Sequence, residues 1–207
     1  MKKNKISKNW ITKQKRDIYV RESKILGYRS RSAFKLIEID EKFNFLSDSK
    51  LFLDLGSSPG GWSQVASKKI KNGKILSVDI KEMPPITNVT FIKGDFNDFD
   101  IQNKIINFFN KKIDIVVSDM APNTTGNKDI DSIRTGNLCL NALEFSYKIL
   151  NFKGVFVSKI FMGKIFKEIQ MEAKKLFKDV LIFKPKSSRK ESKEVYIFCK
   201  YLKVEND

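Results

Sequence analysis

Short apolar runs alternate with stripes of apolar residues at helical spacing along most of the chain. Ser32–Phe43 carries Ala33, Leu36, Ile39 or Asp40, and Phe43 on one helical face, after the Ser-rich basic start Arg29-Ser30-Arg31-Ser32. Leu51-Phe52-Leu53-Asp54-Leu55 then runs into Gly56-Ser57-Ser58-Pro59-Gly60-Gly61, which reads as a buried strand entering a glycine turn. Trp62, Val65, Ala66 and Ile70 return to helical spacing. Further strands are predicted at Lys74–Asp79, at Val89–Lys93 before Gly94-Asp95, and at Ile113–Ser118 before Asp119-Met120-Ala121-Pro122. Leu138, Ala142, Phe145 and Ile149 form a helical stripe, and Gly154 opens a fifth strand, Val155–Ile160. A lysine-rich amphipathic helix follows over Ile165–Phe177, and the β-prone runs Val180–Phe183 and Val195–Tyr201 close the chain.

Strands that alternate with helices imply an α/β fold: a mostly parallel sheet with helices on both faces. In open sheets of this kind ligands sit at the carboxyl ends of the strands, near the switch point. The chemistry is therefore expected in the residues that follow each strand.

Composition narrows the choices. At 207 residues with 41% hydrophobic positions, the chain has the material for one cored domain, which excludes wholesale disorder. No apolar run approaches the ~18–20 residues of a membrane span. Met1-Lys2-Lys3-Asn4-Lys5 leads into a polar stretch without a signal-peptide apolar run. With no histidine, every His-based triad and His metal cluster is excluded, so no metal is expected. Cys139 and Cys199 alone make neither a disulfide framework nor a zinc site, which points to a reducing, cytoplasmic setting.

The net charge of +16 is unevenly placed. Residues 1–35 hold twelve Lys/Arg against Asp17 and Glu22, and residues 184–203 hold seven against Glu191 and Glu194. Lysine richness can follow from A/T-rich coding, but clustering at two ends marks a binding surface for an acidic partner, nucleic acid first and an anionic membrane surface second. Binding through phosphates would then weaken steeply with salt.

The strand ends carry the candidate chemistry. Glycines after the first strand let the backbone approach a ligand, yet the spacing is neither G-x-G-x-x-G nor Walker A. That disfavours NAD and ATP. Asp79, just over twenty residues beyond the turn, suits ribose hydroxyls, and Asp95 suits an exocyclic adenine amine. Each acid alone reads as a turn residue; together, in order, they point to an adenosine ligand. Lys159, in an otherwise apolar strand, is costly to bury charged, so it is expected to be partnered at the active edge rather than on an outer strand.

Read together, these segments resemble the FtsJ family of RNA ribose 2′-O-methyltransferases. The likeness runs from Trp10 to Lys203 through Ser30-Arg31-Ser32-Ala33-Phe34-Lys35-Leu36, Leu53-Asp54-Leu55-Gly56-Ser57-Ser58-Pro59-Gly60-Gly61-Trp62-Ser63-Gln64, Gly94-Asp95-Phe96 and Val117-Ser118-Asp119-Met120-Ala121-Pro122-Asn123. It continues in Ser158-Lys159-Ile160-Phe161, Ser187-Ser188-Arg189 and Ser192-Lys193-Glu194-Val195-Tyr196. Departures are minor: Ser57-Ser58 stands where Ala is usual, Ser158 where an apolar residue is common, and Met162-Gly163-Lys164 where a polar residue is often seen.

The resemblance implies a Rossmann-like class I S-adenosylmethionine-dependent methyltransferase with a seven-stranded, mostly parallel sheet. It implies a basic N-terminal RNA-binding extension over residues 1–30 and a methyltransferase domain over 31–203. Gly60, Trp62, Asp79, Asp95 and Asp119 would contact S-adenosylmethionine. The family's catalytic set falls on Lys35, Asp119, Lys159 and Glu194. Lys159, neutral at the moment of reaction, would take the 2′-OH proton, with Asp119 and Glu194 holding ammonium and substrate in position. The basic arm and Lys184–Lys193 would grip RNA phosphates, with Trp10 and Tyr28 either stacking on bases or anchoring the arm.

Among RNAs, compact bacterial members modify a uridine in the A loop of 23S ribosomal RNA in the large subunit, and others modify tRNA or mRNA caps. The short ends here favour the ribosomal substrate, acted on by a cytoplasmic monomer. Rival chemistries fit less well. A 5-methylcytosine enzyme needs a cysteine after proline, and amino-methylating enzymes favour Asn/Asp-Pro-Pro-aromatic at the fourth strand. A silent RNA-binding assembly factor would have no reason to keep both lysines and both acids.

Overall fold

The apolar runs become strands β1 (Leu51–Leu55), β2 (Lys74–Asp79), β3 (Val89–Lys93), β4 (Ile113–Ser118), β5 (Leu150–Phe161), β6 (Phe177–Phe183) and β7 (Glu194–Leu202). The computed structural model describes residues 17–122 and 125–203; Trp10, most of the N-terminal basic run and Asn123 lie outside the described residues. The strands form one seven-stranded sheet in the order β3-β2-β1-β4-β5-β7-β6. Every pair from β3 to β5 is parallel, and β7 runs antiparallel to both β5 and β6. Strand order reverses between β1 and β4, so the crevice for a ligand opens at their carboxyl ends.

Alternation along each strand divides two cores. Helices α1 (Ile18–Ile25), α2 (Ser32–Phe43) and α3 (Gly61–Lys69) precede β2, and α4 (Phe99–Phe109), α5 (Lys128–Ile149) and α6 (Phe166–Leu176) follow β3. Leu36 and Ile39 of α2 and Trp62 and Val65 of α3 pack with Phe52, Val157 and Tyr196 on one sheet face. Ile105, Leu143 and Ile169 pack with Leu53, Phe156 and Ile197 on the other. Lys159 follows Val155 and Val157 at period two, so it projects toward the α2 face. It does so from an interior strand, flanked by β4 and β7.

The acid in the predicted α2 stripe has a structural cause. Asp40 is buried, accepts from the Phe45 and Leu46 amides (3.1 and 2.9 Å), and so closes the end of its own helix. Phe43 then stacks on Phe198 of β7 at 4.0 Å, with Phe45 edge-on to the same ring at 5.6 Å. Such pairs contribute ~0.5–1.5 kcal/mol each beyond burial, and they fix α2 over β7.

Several elements differ from the sequence expectation, among them β6, which begins at Phe177 rather than Val180, and α5, which begins at Lys128 ahead of the Leu138 stripe. Helix α1 was not anticipated, because it buries only Ser23 and leaves Ile18 and Ile25 exposed, so no apolar stripe announces it. Helix α4 does bury Ile101, Ile105 and Phe109 at a four-residue interval, but its asparagines obscure the pattern. Strand β5 starts at Leu150, ahead of Gly154, because Leu150 pairs with Ile113 before an irregularity in the ladder.

Candidate active site

Glycine permits the turn after β1. Gly56 has φ +76°, and a Cβ there would fall 2.4 Å from Met120 Cγ. Gly60 caps α3 at φ +109°, where a Cβ would press on Ile86 and Arg29. These turns leave a cleft of ≈ 320 Å³ across the carboxyl ends of β1 to β4, bounded by Gly56, Asp79, Asp95, Asp119, Met120 and Leu138 among others.

Two of the three carboxylates on that cleft are held by the turns that follow their strands. Asp79 accepts from Lys81 N through Oδ1 and from Ser58 N through Oδ2, both at 2.8 Å. It therefore ties the glycine turn to β2 and keeps lone pairs free for further donors. Asp95 accepts from Asn97 N and Nδ2 through Oδ1 (2.9 Å each), and its Oδ2 accepts nothing from the described residues. Two carboxylates facing a cleft with apolar walls such as Met120 and Leu138 suit an adenosine: acceptors for a ribose diol and an amine, and apolar surface for a purine.

The structure brings Asp79, Asp95 and Asp119 to the cleft but sets Trp62 apart. The Trp62 indole is 2% exposed, donates Nε1 to Ser32 O at 2.8 Å and packs against Tyr196. Neither Gly60 nor Trp62 bounds the cleft, and the Trp62 main chain lies in the first turn of α3. Tyr28 lies edge-on to Phe34 with Lys68 Nζ 4.2 Å above its ring, so it anchors the arm to the core.

The four candidate catalytic residues assemble as two ion pairs. Lys159 Nζ lies 3.1 Å from Asp119 Oδ1 and also donates to the Asp119 carbonyl at 2.5 Å. Lys35 Nζ of α2 lies 2.8 Å from Glu194 Oε1 at the start of β7, and the same oxygen accepts from Ser188 Oγ at 2.8 Å. The side chains of all four are largely buried, Lys159 at 7% exposure. Burial alone would raise the Asp119 carboxyl, but the Lys159 and Lys35 charges and the hydrogen bonds from Tyr196 and Lys159 outweigh it and hold the group below the ordinary range. Asp119 is therefore an anion in the folded chain near neutrality.

Sequence reasoning gave no role to two residues that matter here. Tyr196 is paired opposite Lys159 in the β5–β7 ladder, donates to Asp119 Oδ1 at 2.8 Å and lies 5.7 Å beneath Lys35 Nζ, so it joins the two pairs. Asp54 of β1 is 1% exposed; its Oδ2 accepts from Ser63 Oγ at 2.6 Å while Oδ1 has no partner among the described residues. Burial pushes its carboxyl up to about 7, against the Ser63 bond and helped by the Asp119 and Asp79 charges. Among the described residues no group of three or more metal-ligating side chains is placed to hold an ion, and no helix is long and apolar enough to cross a membrane.

The family described as FtsJ-like methyltransferase matches residues 28–202. The ribosomal RNA large subunit methyltransferase E of Pelagibacter ubique (strain HTCC1062) is 59% identical over 203 residues, 98% of this chain and 100% of that protein. A crystal structure from Plasmodium falciparum, assigned as a ribosomal RNA methyltransferase, superimposes with TM-score 0.75 at 36% identity, covering 84% of this chain and 98% of that one. A Streptococcus mutans methyltransferase in complex with SAH shares the fold, with TM-score 0.53 at 15% identity over 80% of this chain and 97% of that one.

Proposed function

The chain belongs to the FtsJ-like methyltransferase family, and from that premise we propose that it transfers a methyl group from S-adenosylmethionine to a ribose 2′-OH of RNA. The substrate is a uridine in the A loop of 23S ribosomal RNA, in the large subunit, and the enzyme works as a cytoplasmic monomer without a metal. The observation that carries the reading is the pairing of Lys159–Asp119 with Lys35–Glu194, joined by Tyr196, at the edge of a cleft suited to adenosine.

When bound, S-adenosylmethionine supplies a methyl group already activated by a positive sulfur, so the protein must contribute orientation and a base. Asp79 would hold the ribose hydroxyls, Asp95 the adenine amine, and Gly60 and the Trp62 main chain the turn that faces the ligand. Lys159 is the proton acceptor. Two of the three directions around its Nζ are committed to the Asp119 carbonyl and carboxylate, so the third is left to meet the 2′-OH once it carries a lone pair. Lys35 and Glu194 position the ribose from the α2 side. The basic residues of the 1–30 extension and of the 184–193 segment would bind neighbouring phosphates, with residues 31–203 acting as the methyltransferase domain.

Methyl transfer from labelled S-adenosylmethionine to unmethylated large subunits and to bulk tRNA tests the proposal. Label in large-subunit RNA, resistant to alkali at one position, supports it. Label only in tRNA moves the substrate, and label in neither, with the cofactor bound, favours a silent assembly factor.

A further inference from the structure

Three charged side chains from distant parts of the chain meet beside the Lys35–Glu194 pair. Asp17 caps α1, accepting from Tyr19 N at 3.1 Å through Oδ1. Its Oδ2 is bound by the Arg31 guanidinium and lies 3.6 Å from Arg189 Nε. Arg31 also donates to the Ser187 carbonyl, and Glu38 accepts from the amides of Lys186 and Ser187. The 184–193 loop is thereby pinned on α2 with Arg189 facing Arg31.

Glu191 and Glu194 add negative charge near Arg31, yet the hydrogen bonding at the cluster is incomplete. Two guanidinium groups converge on one carboxylate oxygen, and Arg31 Nε and Ser187 Oγ are buried with no hydrogen-bond partner among the described residues. Burial first, and the Arg189 charge second, hold the Arg31 guanidinium below its ordinary range. Such a site suits an anion with more than one free oxygen. Asp17 spends one oxygen on its own helix; a phosphodiester presents two, at the spacing a guanidinium fork matches.

The location fits an RNA strand passing the active site. Arg31 and Lys35 are four residues apart at the start of α2, and residues so spaced share a face at ~5–6 Å between Cβ atoms. A phosphate beside Arg31 would flank a ribose held at Lys35 and Lys159. Resting on the RNA-methylation reading above, we propose that Arg31 and Arg189 form a phosphodiester subsite for the nucleotide next to the methylated ribose, and that Asp17 occupies this subsite in the free protein until RNA displaces it.

A purely structural clasp between arm and loop makes the opposite prediction for Asp17, and Asp17→Asn separates the two. Asparagine caps helices as well as aspartate does, so α1 keeps its start while the competing charge is removed. The probe is unmethylated large ribosomal subunits, titrated with wild type, Asp17→Asn, Arg189→Ala and the double variant over a range of salt, with S-adenosylhomocysteine affinity reporting the fold. Asp17→Asn is expected to bind subunits about fivefold tighter. Arg189→Ala should bind more weakly, with a log–log salt slope smaller by about one, and the double variant should lose the tightening. Equal or weaker binding by Asp17→Asn, or tightening that persists without Arg189, overturns the subsite. If Asp17→Asn does not fold, an unchanged slope in Arg189→Ala overturns it instead. Wild type that ignores subunits would overturn the RNA reading as well.

Discussion

Lys159 and Tyr196 face each other across the β5–β7 ladder and bind the same atom, Asp119 Oδ1, at 3.1 and 2.8 Å. One carboxylate oxygen thus receives an ammonium from one strand and a phenol from its neighbour, and the position of Nζ depends on both. Tyr196→Phe removes a hydrogen bond to a charged acceptor, an interaction worth ~1.5–3 kcal/mol. We expect kcat to fall by about ten- to a hundredfold with little change in S-adenosylhomocysteine affinity, read from single-turnover kinetics and calorimetry. Equal kcat would mean that Asp119 holds Lys159 unaided.

Asp54 makes stability depend on pH. An aspartate ordinarily loses its proton near 3.8, whereas this one keeps it up to about 7. Between those values the folded chain binds the extra proton, so stability falls as pH rises through the window and levels off above it. The full effect is on the order of 4 kcal/mol. In Asp54→Asn this share of the pH dependence should vanish. Thermal midpoints from pH 5 to 8 check it, and parallel curves for the two proteins would count against the assignment.

Gly56→Ala sets a Cβ 2.4 Å from Met120 Cγ at a φ of +76°. Met120 forms part of the cleft wall, so the strain is relieved by pushing that wall into the ligand's space. The variant should bind S-adenosylhomocysteine at least about tenfold more weakly, the equivalent of ~1.4 kcal/mol. Unchanged affinity would place the ligand elsewhere.

The cysteines are predicted to be chemically silent. Both are buried, and burial pushes the Cys139 thiol up to about 12 and Cys199 well above its usual range. A thiol-specific reagent at pH 8 should leave the native protein unmodified and label both residues after denaturation. Fast labelling of the native state would reopen the cysteine-dependent base methylation that the sequence disfavours.

Much of this site was legible because the sheet puts its chemistry at strand ends, where short motifs mark it. Gly56 to Gly61, Asp79, Asp95 and Asp119 each follow a recognisable apolar run, and Lys159 stands out as the one cation in the run Val155–Ile160. Partners were not legible. Tyr196 meets Asp119 across 77 positions, and Arg31 meets Ser187 across 156, so no local pattern reports either contact. Trp62 was legible as part of a motif but not as a core residue, because its direction depends on how α3 sits on the sheet.

Proton removal from the 2′-OH falls to Lys159, so the most direct measurement compares wild type with Lys159→Ala. Each is given unmethylated large subunits and labelled S-adenosylmethionine, and S-adenosylhomocysteine affinity is measured in parallel. Wild type should place label in one alkali-resistant dinucleotide of the large-subunit RNA. The variant should lose activity by about a thousandfold or more while binding S-adenosylhomocysteine within about threefold of wild type. Turnover by Lys159→Ala within about tenfold of wild type would contradict the assignment of Lys159 as the proton acceptor.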